Sequence, residues 1–123
     1  ILEKVLLPNT ITCIGGGAFE ACRNLTSINI PNSVKTIRWL AFNGCSNIET
    51  ITIPSSVVSI ENHVFWGCSI LSEVTCLATT PPTLDDGVFD GISSTATLIV
   101  PIGYSTAYSE SDWAQYFTTI EEK

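Results

Sequence analysis

The apolar positions of this chain recur with a fixed period of 23 positions. Each period opens on a leucine or an isoleucine, at Leu2, Leu25, Ile48 and Leu71, and the first three periods carry a proline at the same place. A fixed period of this length is typical of a solenoid, in which each repeat buries its apolar side against its neighbours. The pattern predicts three well-kept repeats followed by a degenerate one, at residues 2–24, 25–47, 48–70 and 71–93.

The first half of each repeat predicts a short strand and a turn. In the second repeat Ile28 and Ile30 alternate with polar residues, which is the pattern of a strand with one buried face. Pro31 then ends the strand, because it has no N–H to donate to a β-ladder. Equivalent strands of successive repeats are therefore expected to lie side by side.

The second half of each repeat carries a phenylalanine and then a cysteine. Equivalent side chains of stacked repeats lie about 4.8 Å apart, so we expect the rings to interlock, each contributing about 1.5–3 kcal/mol on burial. The same spacing permits a disulfide, but equivalent side chains point in parallel, which is poor disulfide geometry. A ladder of buried free thiols is favoured, with disulfides or a metal site as alternatives. The residues are Phe19, Phe42 and Phe65, and Cys22, Cys45 and Cys68.

The fourth unit and the tail depart from the period. Prolines and acidic residues interrupt the turn, although Phe89 keeps the aromatic position and residues 96–101 give one more strand followed by a proline. A terminal repeat has no neighbour to stack on and needs a cap. We assign this role to residues 94–123, with a short helix over residues 105–116, and interpret residues 1–123 as a single domain.

The repeat resembles the BspA-type leucine-rich repeat, whose pattern is roughly L-x-x-I-x-I-P-x-S-V-x-x-I-x-x-x-A-F-x-x-C-x-N. Residues 25–47 match it at almost every position, whereas 48–70 depart at Val64 and Ile70. The resemblance implies a β-rich solenoid: a right-handed leucine-rich-repeat superhelix of short strands and turns, closed by a C-terminal cap. It also implies a bacterial or protozoan secreted or cell-surface, adhesin-like protein. This chain would be its C-terminal part, with further repeats before it.

Composition and charge narrow the class of partner. The chain is 45% hydrophobic and 14% charged, with a net charge of −7. Eight acidic residues against one lysine lie in residues 71–123, and no basic patch occurs, which argues against a nucleic acid. No apolar run reaches the roughly 18 residues of a membrane helix, so no membrane insertion is expected. The partner implied by the resemblance is a protein or glycan of a host or a neighbouring cell, bound by a monomer.

The sequence shows no constellation of acid, base and nucleophile, so we predict neither an enzyme nor a bound cofactor or metal. His63 is the single histidine, and a surface position is favoured over a catalytic one. Asp85, Asp86 and Asp90 surround two glycines, but their spacing is not that of an EF-hand. An acidic turn is therefore favoured over a calcium site.

The outward positions of the predicted strands form the candidate binding face. Small hydroxyl and amide groups on an extended sheet suit hydrogen bonding to a protein or a glycan, although they are also ordinary solvated strand residues. Trp39 and Trp66 form a second set, either interface anchors or rings packed over a neighbouring repeat. We predict a non-enzymatic binding module, with a structural spacer as the alternative. The face comprises Lys4, Leu6, Ser27, Asn29, Thr50, Thr52, Glu73 and Thr75.

Overall fold

The computed structural model describes residues 4–123, so Leu2, which opens the first predicted repeat, lies outside the described residues. Within this range the chain forms short strands and two short helices. The strands are β1 (Lys4–Leu6), β2 (Cys13–Ile14), β3 (Ser27–Asn29), β4 (Thr36–Ile37), β5 (Thr50–Ile53), β6 (Ser59–Ile60), β7 (Glu73–Cys76), β8 (Thr83–Leu84), β9 (Thr97–Val100) and β10 (Thr119–Glu122). The helices are α1 (Ser105–Ser109) and a 3₁₀ helix (Asp112–Gln115).

The strands pair in parallel, and neighbours within a sheet come from successive coils. β1 pairs with β3, while β5, β7, β9 and β10 form a second sheet, and β2, β4, β6 and β8 form a third. The register places Ile14 beside Ile37 and Ile37 beside Ile60, so each of these coils advances by one full period of the sequence. The predicted leucine-rich-repeat type of β-solenoid is therefore confirmed.

The alternation of apolar and polar residues decides which side of each strand is inside. In β5, Ile51 and Ile53 are buried, whereas Thr50 and Thr52 are exposed. In the third sheet Ile60 is buried in the same core. Because successive side chains of a strand point to opposite faces, burial of the isoleucines forces the threonines outward. The coils before and after β5 repeat this arrangement, so the outward positions align along the solenoid.

The phenylalanine rings form a continuous stack through the core. The ring of Phe42 lies between those of Phe19 and Phe65, with centroids 5.5 Å apart on both sides. The ring of Phe65 is 5.3 Å from that of Phe89, at an interplanar angle of 3°. Phe89 in turn lies 5.2 Å from the indole of Trp113 in the C-terminal segment. The predicted interlocking of the rings is confirmed, and the stack ties the coils to the cap.

The cysteine ladder consists of free thiols. Cys45 and Cys68 are fully buried. Their Sγ atoms donate to the backbone carbonyl oxygens of Phe19 and Phe42, at 3.1 and 3.2 Å. Burial raises the pKa of the Cys45 thiol to about 11 and that of the Cys68 thiol to about 12. These two thiols therefore stay protonated at neutral pH and act as packing groups, as predicted, rather than as disulfide partners.

One residue of each coil lies in the left-handed region just before the ladder cysteine or, in the long coil, before Ile92 at the equivalent place. Gly44, Gly67 and Gly91 hold this position, whereas the first coil places Ala21 there with φ 56°. A Cβ in this region costs about 1–2 kcal/mol. The Ala21 N–H donates to the carbonyl oxygen of Asn43 in the next coil at 2.7 Å. Stacking between coils therefore holds a conformation that alanine alone disfavours.

The coil that starts at β7 is one residue longer than the coils before it. Its first residue, Glu73, pairs with Thr97, whereas the first residue of the preceding coil, Thr50, pairs with Glu73. Phe89 stacks on Phe65 across the same lengthened spacing. The extra residue lies between β7 and β8, where the chain passes through the consecutive prolines 81 and 82. This segment provides the attachment for the cap.

The cap is anchored by two buried aromatic side chains. The Tyr108 hydroxyl donates to the carbonyl oxygen of Ala78 at 2.7 Å. The Trp113 Nε1–H donates to the carbonyl oxygen of Pro82 at 2.9 Å. Both rings are fully buried, so the cap satisfies the carbonyl groups of the long coil while covering the end of the core.

The secondary structure of the cap differs from the single helix predicted over residues 105–116, which the structure divides in two. The Ser111 side chain accepts from the Trp113 N–H and so begins a separate 3₁₀ helix after α1. β10 then adds a further strand beside β9, which the sequence did not predict. The cap thus closes the core and also lengthens the sheet.

Candidate binding face

The eight predicted residues occupy two outward positions on each of four strands, and we call this surface the strand face. The register and the common period arrange them in two rows along the solenoid, with β3 in contact with β5. The first row is Lys4, Ser27, Thr50 and Glu73, and the second row is Leu6, Asn29, Thr52 and Thr75.

The strand face is open to solvent. Thr75 is half-buried and the other members are exposed. Neighbours within a row are about 4.8 Å apart, and the two rows are about 6.6 Å apart, given the geometry of parallel strands. The middle of the face, from Ser27 to Thr52, carries neutral hydroxyl and amide groups, while Lys4 and Glu73 place opposite charges toward its two ends. This grid can donate and accept hydrogen bonds along an extended partner.

Both rows continue beyond the residues that the sequence analysis selected. Thr97 and Thr119 extend the first row, and Ile99 and Glu121 extend the second. Thr97 and Ile99 lie on the strand predicted within residues 96–101, but the period lengthens by one position before it, so the strict repeat does not place them in the rows. Thr119 and Glu121 lie on β10, which the pattern did not predict. Residues 119–122 carry a single apolar side chain, Ile120, so the alternation there gives little signal for β10. Ile99 is only 6% exposed, so the face loses its open polar character there.

The remaining chemistry-bearing residues lie elsewhere. In residues 4–123 no group of three or more His, Cys, Asp or Glu side chains is placed to hold a metal ion. Asp85, Asp86 and Asp90 are exposed in the turn region. His63 is half-buried, and its ring lies over Gly87 of the next coil. A groove of about 280 Å³ is lined by residues 81–84 and 111–113, none of which belongs to the strand face.

The two predicted surface tryptophans are half exposed, Trp39 by 49% and Trp66 by 48%. Both lie in the turns that precede the ladder cysteines. The Trp39 indole covers Gly16 of the preceding coil. The two interpretations offered for Trp39 are therefore compatible, since its ring packs over a neighbouring repeat and still presents half of its surface to solvent.

The parallel strands, the one-coil register and the buried phenylalanine and cysteine columns define a β-solenoid of leucine-rich-repeat type. The family model described as BspA type leucine rich repeat region (6 copies) matches residues 1–111. The chain belongs to this family. No curated protein and no solved structure matches the chain. No helix within residues 4–123 has the length and apolar character needed to cross a membrane.

Proposed function

We propose that this chain is a non-enzymatic binding module that recognises a protein or a glycan through the strand face. The observation that carries the proposal is the alignment of exposed hydroxyl and amide groups in two rows across successive coils. Solenoids of this kind use such extended surfaces for binding. The central part of the face is neutral and the chain is acidic, which favours a protein or glycan partner over a nucleic acid.

Membership of the family favours a location for this binding activity. BspA-type repeats are characteristic of secreted and cell-surface proteins, so the proposed partner is a protein or glycan on a host or a neighbouring cell. The module would act as a monomer in an adhesin-like protein. A structural spacer that displays another domain is the second candidate, and the regular stacking of the coils favours it because such an array is stiff without any ligand.

The experiment is a binding screen of the purified chain against extracellular-matrix proteins and cell-surface glycans. The strand-face variant combines Asn29→Arg with Thr52→Arg. The control variant combines Asn32→Arg with Ser55→Arg, which adds the same charge to exposed turn residues of the same two coils. Circular dichroism and thermal unfolding establish that both variants keep the fold.

Binding that the strand-face variant loses and the control variant keeps would support a recognition module and locate its surface. Equal binding by the parent and both variants would refute the assignment to the strand face. No binding to any protein or glycan of the screen would favour the spacer.

A further inference from the structure

A second surface, outside the strand face, is formed by the turns of adjacent coils. We call it the aromatic ridge, and it comprises Trp39, Asn62, His63 and Trp66. The Leu40 N–H, directly after Trp39, donates to the carbonyl oxygen of Asn62 at 3.0 Å. The Trp66 N–H donates to the carbonyl oxygen of His63 at 3.2 Å. The backbone therefore holds these residues on adjacent turns.

The indole of Trp39 lies flat on the outside of the preceding coil. A Cβ added to Gly16 would fall 2.4, 2.5 and 2.8 Å from Cε2, Cζ2 and Cδ2 of Trp39. Cε2 and Cδ2 form the bond shared by the two rings of the indole, and in the ring plane both are surrounded by other ring atoms. The added Cβ can therefore come this close to both of them only from above the ring plane. The Cβ direction of Gly16 points away from its backbone, so the indole covers that backbone, while 49% of Trp39 remains exposed to solvent.

A similar arrangement occurs on the other side of the ridge. A Cβ added to Gly87 would fall 2.5 Å from Cδ2 and 2.7 Å from Nε2 of His63. The ring of His63 therefore extends over the following coil, whereas the ring of Trp39 extends over the preceding one. Trp66, three residues after His63, adds a second half-exposed indole. In both cases a glycine provides the space that lets a ring lie against the coil.

Polar groups flank these rings. The Oδ1 atom of Asn62 accepts from the Asp86 N–H at 3.1 Å, which directs the remaining amide group of this exposed side chain to solvent. The Arg38 guanidinium is paired with the Glu61 carboxylate at 3.5 Å, so its charge is balanced. Asp86 and Asp90 are exposed on the next coil and leave the surroundings of the ridge negatively charged.

We infer that the aromatic ridge is a binding surface for neutral pyranose sugars, distinct from the strand face. A half-exposed indole that lies flat on the coil offers a platform for the axial C–H groups of a pyranose ring, and neighbouring amide, imidazole and carboxylate groups suit its hydroxyls. The local negative charge disfavours sulfated and sialylated glycans. A protein partner would also bury the two indoles, but the flat platform and its hydroxyl-binding neighbours favour the sugar.

The test uses intrinsic tryptophan fluorescence during titration with cellohexaose, chitohexaose and mannohexaose, and with a heparin hexasaccharide for comparison. Trp113 is fully buried, so the signal that responds to ligand comes from the ridge. The informative variant is Gly16→Ala, which keeps the tryptophans but displaces the Trp39 ring. Gly15→Ala is the matched control, because a Cβ there has no neighbour within 4 Å.

We expect a saturable response to at least one neutral hexasaccharide. Gly16→Ala and Trp66→Ala should each weaken it about tenfold, as for a central aromatic contact, while Gly15→Ala leaves it unchanged. Trp39→Ala serves in place of Gly16→Ala if that variant fails to fold. The strand-face variant should bind the sugar like the parent, which separates this inference from the proposed function. Three results would overturn it: no saturable response, equal affinities for the two glycine variants, or preferential binding of the heparin hexasaccharide.

Discussion

The phenylalanine stack provides a test of how the solenoid is held together, because the same side chain occurs in different surroundings. Phe65 is fully buried between Phe42 and Phe89. Phe19 is half-buried and, among the described residues, stacks on Phe42 alone. Nearest-neighbour coupling in a repeat array predicts that removal of the central ring weakens two interfaces, whereas removal of the outer ring weakens one.

The magnitudes follow from burial. Phe65→Ala should lower the free energy of unfolding by about 3–5 kcal/mol, the usual cost of removing a fully buried phenylalanine. Phe19→Ala should lower it by about half as much, because part of its surface is already in water and one ring contact is lost. Phe65→Leu keeps an apolar side chain but loses two ring contacts of about 0.5–1.5 kcal/mol each. Its free energy of unfolding should therefore fall by less than that of Phe65→Ala.

Urea unfolding followed by circular dichroism measures these differences. The slope of the free energy with urea should be the same for all variants, since the surface exposed on unfolding is nearly unchanged. Equal losses for Phe65→Ala and Phe19→Ala would refute nearest-neighbour stacking as the source of stability. A loss for Phe65→Leu as large as that for Phe65→Ala would show that ring shape, rather than buried area, dominates.

Three further predictions concern the backbone and the cap. Ala21→Gly should raise the free energy of unfolding by about 1 kcal/mol, because glycine relieves the left-handed strain; an unchanged or lower melting temperature would contradict this. Tyr108→Phe should lower the free energy of unfolding by about 1–3 kcal/mol, because the carbonyl oxygen of Ala78 loses its buried donor. Urea unfolding measures this difference, and an unchanged free energy would contradict the role of the hydroxyl. Hydrogen bonds from Ser105 lower the pKa of the Glu122 carboxyl below its ordinary value, so the carboxylate stabilises the fold at pH values above that ordinary value and ceases to do so as the pH falls through the lowered pKa. Melting curves of the wild type and Glu122→Gln should therefore differ at neutral pH and converge once the pH is below the lowered pKa, and a constant difference would exclude this role.

The sequence was most informative where the period is strict. The alternation around Ile51 and Ile53, together with the recurrence of Phe65 and Cys68, was enough to predict the strands, the ring stack and the thiol ladder. These features depend on one coil and its copies, so the pattern within a single repeat contains all the information needed. The positions of the strand-face residues followed from the same alternation.

The sequence was less informative where contacts join segments of different kinds. The burial of Ile99 and the end of α1 before Ser111 depend on how the cap meets the long coil. The placement of the Trp39 ring depends on Gly16, which lies one coil earlier in a stretch without a fixed pattern. Such contacts are specific to one pair of residues, and the repeat pattern does not predict them.

The last strand also determines how the molecule behaves toward copies of itself. β10 is the outer strand of its sheet, and an outer strand with free backbone groups is a template on which another chain can pair. Glu121 and Glu122 place two exposed carboxylates on this strand, and their mutual repulsion opposes the approach of an identical edge. Deletion of residues 119–123 would leave β9, with its buried Leu98 and Val100, as the uncovered edge. The outer strand thus opposes pairing of this edge with the same edge of a second copy.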